Sequence, residues 1–247
     1  MAGDKLEQDK QSAKSWYWWG IPTFFRCDWN EDPAACDIAL VGVPHSSGNG
    51  STERDQHLGP RAVRNVSGFY RRAHAIHDFA PFEVARVHDL GDVPLPEAMN
   101  NEACVRDIES FFERLDAAGT RPVSIGGDHS ITGPILKALA GPSRKTTKGA
   151  PCALIHFDAH TDSYENMPHW LGAKRSAAHW AAYTAREGSV DPARSVQIGM
   201  RGHPSSLIHG GKVGSASEAL GYRVVPMAEF EELGIQKSVE LIRERVG

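Results

Sequence analysis

The chain has 247 residues, 40% of them hydrophobic and 23% charged, with a formal net charge of −4 at pH 7. That length suits one α/β domain with a substantial buried core, and the mild acidity without a basic block argues against a nucleic-acid or membrane-surface role. No apolar run approaches the ~20 residues of a membrane span, and Cys27, Cys36, Cys104 and Cys152 form no CxxC pair, so a reduced, cytoplasmic protein without a cysteine zinc site is the expectation.

In chain order, residues 1–14 are polar, carry mixed charges and lack the apolar core of a signal peptide; they read as a disordered arm. Residues 15–36 read as an aromatic N-terminal extension, with Trp16, Tyr17, Trp18 and Trp19 in a row. Such a segment either packs on the domain surface or forms a subunit contact, where aromatics are enriched. The remainder, 37–247, reads as one domain. Strands are expected at Ile38–Val43, Val84–Asp89, Pro122–Ile125, Ala153–Phe157, Ser195–Ile198 and Arg223–Val225. Each run is nearly continuous in apolar residues, which suits parallel strands buried on both faces.

Helices are expected between them. Asn101–Ala118 spaces Val105, Ile108, Phe111, Phe112 and Leu115 for one helical face, with Gly119 as a stop. Ile131–Ala140, Ser176–Arg186 and Lys237–Arg245 complete the set, and Gly141–Gly149 reads as a polar surface loop. Strand and helix alternating in this way predict a three-layer αβα domain with a mainly parallel, doubly wound sheet. Ligands of such sheets sit outside the carboxyl ends of the strands.

Two strand ends hold polar residues that a core does not need. One is Ser124-Ile125-Gly126-Gly127-Asp128-His129-Ser130, and the other is His156-Phe157-Asp158-Ala159-His160-Thr161-Asp162. In an extended or turning chain the second run can bring Asp158, His160 and Asp162 to one point, since alternate residues of a strand share a face. Crowded acids resist burial unless a cation is present, and carboxylate with imidazole suits Mn, Ni, Fe or Zn. The glycine pair lets the backbone turn so that His129 can approach from a neighbouring strand, ~4.8 Å away. Asp128 either caps the next helix or orients His129.

With these two motifs the chain resembles the ureohydrolases, the arginase and agmatinase family, from about Asp37 onward. Ser195-Val196-Gln197-Ile198-Gly199-Met200-Arg201, Gly59-Pro60-Arg61-Ala62-Val63-Arg64 and Val41-Gly42-Val43-Pro44 are similar to the agmatinase-like branch. The resemblance implies His129, Asp158, His160 and Asp162 as metal ligands. Asp158 would bridge two divalent ions, Mn2+ or Ni2+, which stand roughly 3.5 Å apart and share a hydroxide in such centres. It also implies hydrolysis of a guanidino C–N bond, releasing urea or a substituted urea and an amine, and assembly as trimers or hexamers.

The chain departs from the family pattern at two places. The family takes two further aspartates from a later Ser-x-Asp-x-Asp-x-x-Asp-Pro strand, and the sequence stops at Gly247. Four of six ligands are then in hand, so the expectation is a C-terminally incomplete domain that is inactive alone. The alternative is a subunit supporting an active homologue in a hetero-oligomer. Agmatinases also place a His-Gly-Thr histidine as proton shuttle where an ungapped count puts Ala177. His179 is the nearest substitute and His169 a weaker one; either shuttles protons or is an ordinary histidine. The loop from Pro44 to Gln56 and the tryptophan-rich start resemble the guanidine and biguanide (metformin) hydrolase subgroup, whose members use small guanidino or biguanide substrates.

Overall fold

A computed structural model describes residues 18–49, 54–68, 74, 76–164, 173–202 and 215–247. The 1–14 arm, Trp16, Tyr17 and His169 lie outside these residues. In chain order the elements are β1 (Asp28–Trp29), β2 (Ile38–Val43), α1 (Gly59–Ser67), α2 (Pro81–Val84), β3 (Val87–Asp92) and α3 (Asn101–Ala118). They continue with β4 (Arg121–Gly126), α4 (Thr132–Leu139), β5 (Ile155–Phe157), α5 (Trp180–Arg186), β6 (Val196–Met200), α6 (Ser215–Leu220), β7 (Arg223–Pro226) and α7 (Met227–Val246).

Among the described residues, every pairing between these strands is parallel. The order is β1-β3-β2-β4 in one sheet and β5-β6-β7 in the other. Helices cover both faces, giving the three-layer arrangement. On β2, Ala39, Val41 and Val43 pack with Ile108, Phe112 and Leu115 of α3, while Leu40 points to the opposite cluster, with Val63 of α1 and Phe24. On β7, Val224 joins Trp180 of α5, and its neighbour Val225 joins Phe230 and Leu241 of α7. That alternation is the two-residue period of a strand buried on both sides. Each large side chain so buried contributes about 1.5–3 kcal/mol.

The ends of α3 follow from its sequence. Asn100 caps it by accepting the Ala103 amide, and Gly119 terminates it at φ 77°, returning its amide to Asp116 and Leu115. Other boundaries differ from expectation. The third strand begins at Val87 rather than Val84, because Pro81 starts a helical turn over Pro81–Val84 and the Asp37 carboxylate holds the Arg86 amide. The final helix starts ten residues earlier than Lys237, at Met227, and bends at Gly234, φ 66°. Regular helix begins at Trp180, since Ser176–His179 forms a turn closed by the His179 amide on the Ser176 carbonyl.

Among the described residues, β4 and β5 each leave one edge without a strand partner. Their apolar side chains are open: Val123 is 51% exposed, Ile155 45% and Phe157 64%. The inner strands β2 and β6 are almost wholly buried. No described helix is long and apolar enough to cross a membrane.

Candidate metal centre

β4 delivers its histidine through a tight turn. Gly127 sits at φ 25°, and a Cβ there would stand 2.5 Å from the carbonyl oxygens of Val43 and His45, so only glycine fits. Of the two roles its position allowed, Asp128 takes the cap. Its Oδ1 accepts the Ser130 amide at 2.9 Å, capping the His129–Ile131 turn, while its Oδ2 accepts the Gly48 amide at 2.9 Å. The His129 turn and the loop after β2 are thereby latched together.

β5 ends at Phe157, and the chain then turns. The Asp158 Oδ1 accepts the His160 amide at 2.9 Å, and the amides of Arg201 and Gly202 close on the Ala159 carbonyl. Extended alternation therefore stops before it can aim His160. Asp162 returns to the site through a left-handed backbone, φ 49°. The outcome is a cluster of His129, His156, Asp158 and Asp162, whose potential ligand atoms all lie within 4.8 Å of one another. His160 stands outside the four: its side chain is 58% exposed, with Nδ1 3.8 Å from Asp158 Oδ1.

Within the cluster, one nitrogen faces two acids. His129 Nδ1 lies 3.1 Å from Asp158 Oδ2 and 2.8 Å from Asp162 Oδ2. Burial opposes charge on His129, yet the hydrogen bonds and charges of the two aspartates outweigh it and push its pKa up to about 9. Burial likewise opposes charge on Asp158, but His129 and His156 hold its carboxyl well below the usual carboxylate range. A ring nitrogen carries a single proton, so two carboxylates converging on it form a better partner for a multivalent cation than for an imidazolium. The donor set of carboxylates and imidazole fits a divalent transition metal.

His156 has a different character. Gln197 Nε2 donates to the Thr161 carbonyl at 2.7 Å and lies 3.1 Å from His156 Nδ1. A carbonyl only accepts, so the amide orientation is set, and its second N–H makes Nδ1 an acceptor. The proton of neutral His156 then sits on Nε2, 3.4 Å from Asp158 Oδ2. Nε2 closes no hydrogen bond there, so it faces Asp158 as an N–H rather than as a lone pair for a metal.

Nothing in the sequence marks Trp180, while for His156 and Gln197 the one signal is a polar side chain interrupting an apolar strand run, as in Leu154–Phe157 and Ser195–Gly199. His179 is buried outside the cluster, its Nδ1 2.8 Å from Ser176 Oγ. A recess of about 400 Å³ lined by Cys27, Asp37, Phe82 and Arg86 lies at the amino ends of the strands, away from this chemistry.

The chain is similar to several known amidinohydrolases. It is 37% identical over 232 residues to guanidinopropionase of Pseudomonas aeruginosa, covering 92% of this chain and 67% of that one. It is 33% identical over 231 residues to proclavaminate amidinohydrolase of Streptomyces clavuligerus, again over 92% of this chain and 68% of that one. The solved structure of the Streptomyces enzyme superposes with a TM-score of 0.82 at 30% identity, over 94% of this chain and 72% of that one. This chain thus spans about two thirds of the length of these relatives. The sequence pattern of the arginase family matches residues 36–247. Motifs, parallel fold and overall similarity agree: the chain belongs to the arginase family, in its agmatinase-like branch.

Proposed function

We propose that this chain hydrolyses a guanidino C–N bond, releasing urea or a substituted urea and an amine, with two divalent cations, Mn2+ or Ni2+, held by His129, Asp158, His160 and Asp162. The observation that carries the reading is the convergence of His129, Asp158 and Asp162 just past the carboxyl ends of β4 and β5, where open α/β sheets place their ligands. Bound cations supply Lewis acidity and a water activated at neutral pH.

The chain's own residues hold and frame that centre. Asp158 presents Oδ2 to His129 and turns Oδ1 toward His160, so one carboxylate faces both ligand sets. The loop after β2 is held by Asp128 on one side, and its Gly48 carbonyl accepts the Ala177 amide on the other. That bond joins the loop to the turn carrying His179, which in this reading serves as proton shuttle for a small guanidino or biguanide substrate. Trp18 and Trp19, both exposed, mark a contact in a trimeric or hexameric assembly. A second reading, a subunit supporting an active homologue, draws on His160, which stands apart from the other ligands.

The test is to purify the protein with its full natural reading frame and load it with Mn2+ or Ni2+. Ions are counted per chain, and urea is measured with guanidine, guanidinopropionate, guanidinobutyrate, agmatine and a biguanide. Two ions and urea from one of these substrates support the hydrolase. A chain without ions that raises a homologue's turnover supports the second reading, and a chain that does neither sinks both.

A further inference from the structure

Trp180 is the first residue of α5, belongs to the core cluster with Val190, Met200, Tyr222 and Val224, and has no exposed surface. Nothing in that core requires an indole rather than another large apolar group. The polar end of the ring has a particular destination: Nε1–H donates to Asp162 Oδ2 at 2.8 Å, within the buried interior. This is the same oxygen that faces His129 Nδ1. The two rings beside the cluster also rest on the indole, His129 with centroids 5.0 Å away and His156 at 4.9 Å. One side chain thus touches three of the four residues that converge.

Asp162 needs such support. Its backbone lies in the left-handed region, φ 49°, where a non-glycine residue persists only if its surroundings over-determine it. The start of α5 holds it twice: Trp180 grips the carboxylate, and the Ala181 amide donates to the Asp162 carbonyl at 3.0 Å. A carboxylate has about four lone-pair directions. The indole uses one and stops rotation about the Asp162 side chain, leaving the others for a cation.

We infer that Trp180 is a positioning residue of the metal centre. Its indole N–H fixes the Asp162 carboxylate, and its ring seats His129 and His156, so that the donors are arranged before any ion arrives. The inference rests on the metal-centre reading above and assigns Trp180 a task beyond packing. Groups that orient ligands in this way typically change metal affinity by about 10- to 100-fold when removed.

The experiment separates the N–H from the ring. Trp180 is replaced by 3-benzothienylalanine through amber suppression, which keeps the shape and puts sulfur in place of the N–H; Trp180→Phe serves as a second variant. Mn2+ affinity and stoichiometry are read by calorimetry on the full chain, and folding by thermal melting. The expected result is a melting temperature close to wild type for the benzothienyl protein, the same number of ions, and affinity weakened by about tenfold. Should the phenylalanine variant unfold, the isosteric one still decides. Unchanged affinity in a folded benzothienyl protein overturns the positioning role and leaves the metal centre standing. A wild-type chain that takes up no Mn2+ overturns the centre itself, and with it any role of Trp180 toward an ion.

Discussion

Arg64 grips Asp89 with two parallel hydrogen bonds, Nε to Oδ2 at 2.8 Å and Nη2 to Oδ1 at 2.9 Å, beneath a nearly closed surface. The guanidinium lies 4.0 Å over the Phe24 ring and also reaches Asp92, while the Phe24 amide donates to Asp89 Oδ2. This fork seats α1 on β3 and pins the start of the described chain beside them. Removing one partner strands a buried charge, a loss of about 3–5 kcal/mol. Arg64→Ala is expected to lower urea-unfolding stability by that order, and Arg64→Lys to recover only part, since an ammonium lacks the planar fork. Equal stability of wild type and the alanine variant in equilibrium unfolding would refute the assignment.

Asp158 and His179 offer a contrast in metal retention. Asp158 lies between His129 and His160, whereas His179 is engaged by Ser176 outside the cluster. Asp158→Asn is expected to weaken Mn2+ binding by more than about 100-fold, beyond the effect of a supporting group, and His179→Ala to leave it within a few-fold of wild type. Calorimetric titration of the two variants checks this; equal losses would count against both roles.

A pH effect is expected at the far end of the strands. Hydrogen bonds from the Arg86 side chain and amide depress the Asp37 carboxyl from 3.8 to about 2. A carboxyl lowered on folding contributes stability that is present above its unfolded pKa and fades as pH falls through its folded one. The difference in urea midpoint between wild type and Asp37→Asn should therefore be constant above about pH 5 and shrink from pH 4 toward 2. A difference that grows on acidification would contradict the pairing.

Exposed Trp18, Trp19, Ile21 and Trp29 give the N-terminal extension an apolar surface. If the extension is a subunit contact as proposed, deleting residues 1–22 is expected to lower the mass in light scattering. An unchanged mass would remove the extension from the contact.

The parts of this fold that were readable in sequence are those governed locally. α3 emerged with its observed bounds because its apolar stripe and Gly119 are local signals. His129, Asp158 and Asp162 could be brought together on paper because each follows a recognisable strand end. For His160 strand alternation is no guide, because past Phe157 the Asp158 carboxylate folds the chain into a turn. His156 and Trp180 were invisible for another reason. The first acquires its meaning only when β5 pairs with β6 and sets it opposite Gln197; the second only when α5 docks under the Asp162 loop. Register and docking are long-range facts that no window of residues contains.

The open edges of β4 and β5 carry a mechanical implication. His129 hangs from the sheet that ends in β4, and Asp158 and Asp162 hang from the sheet that ends in β5. Under the proposed function, a cation shared by the three would act as a clasp between two leaves of the fold, its binding energy adding to the resistance to their separation. At an ion concentration 100 times the dissociation constant, that linkage is worth about 2.7 kcal/mol, so heat should part the leaves later when the clasp is shut.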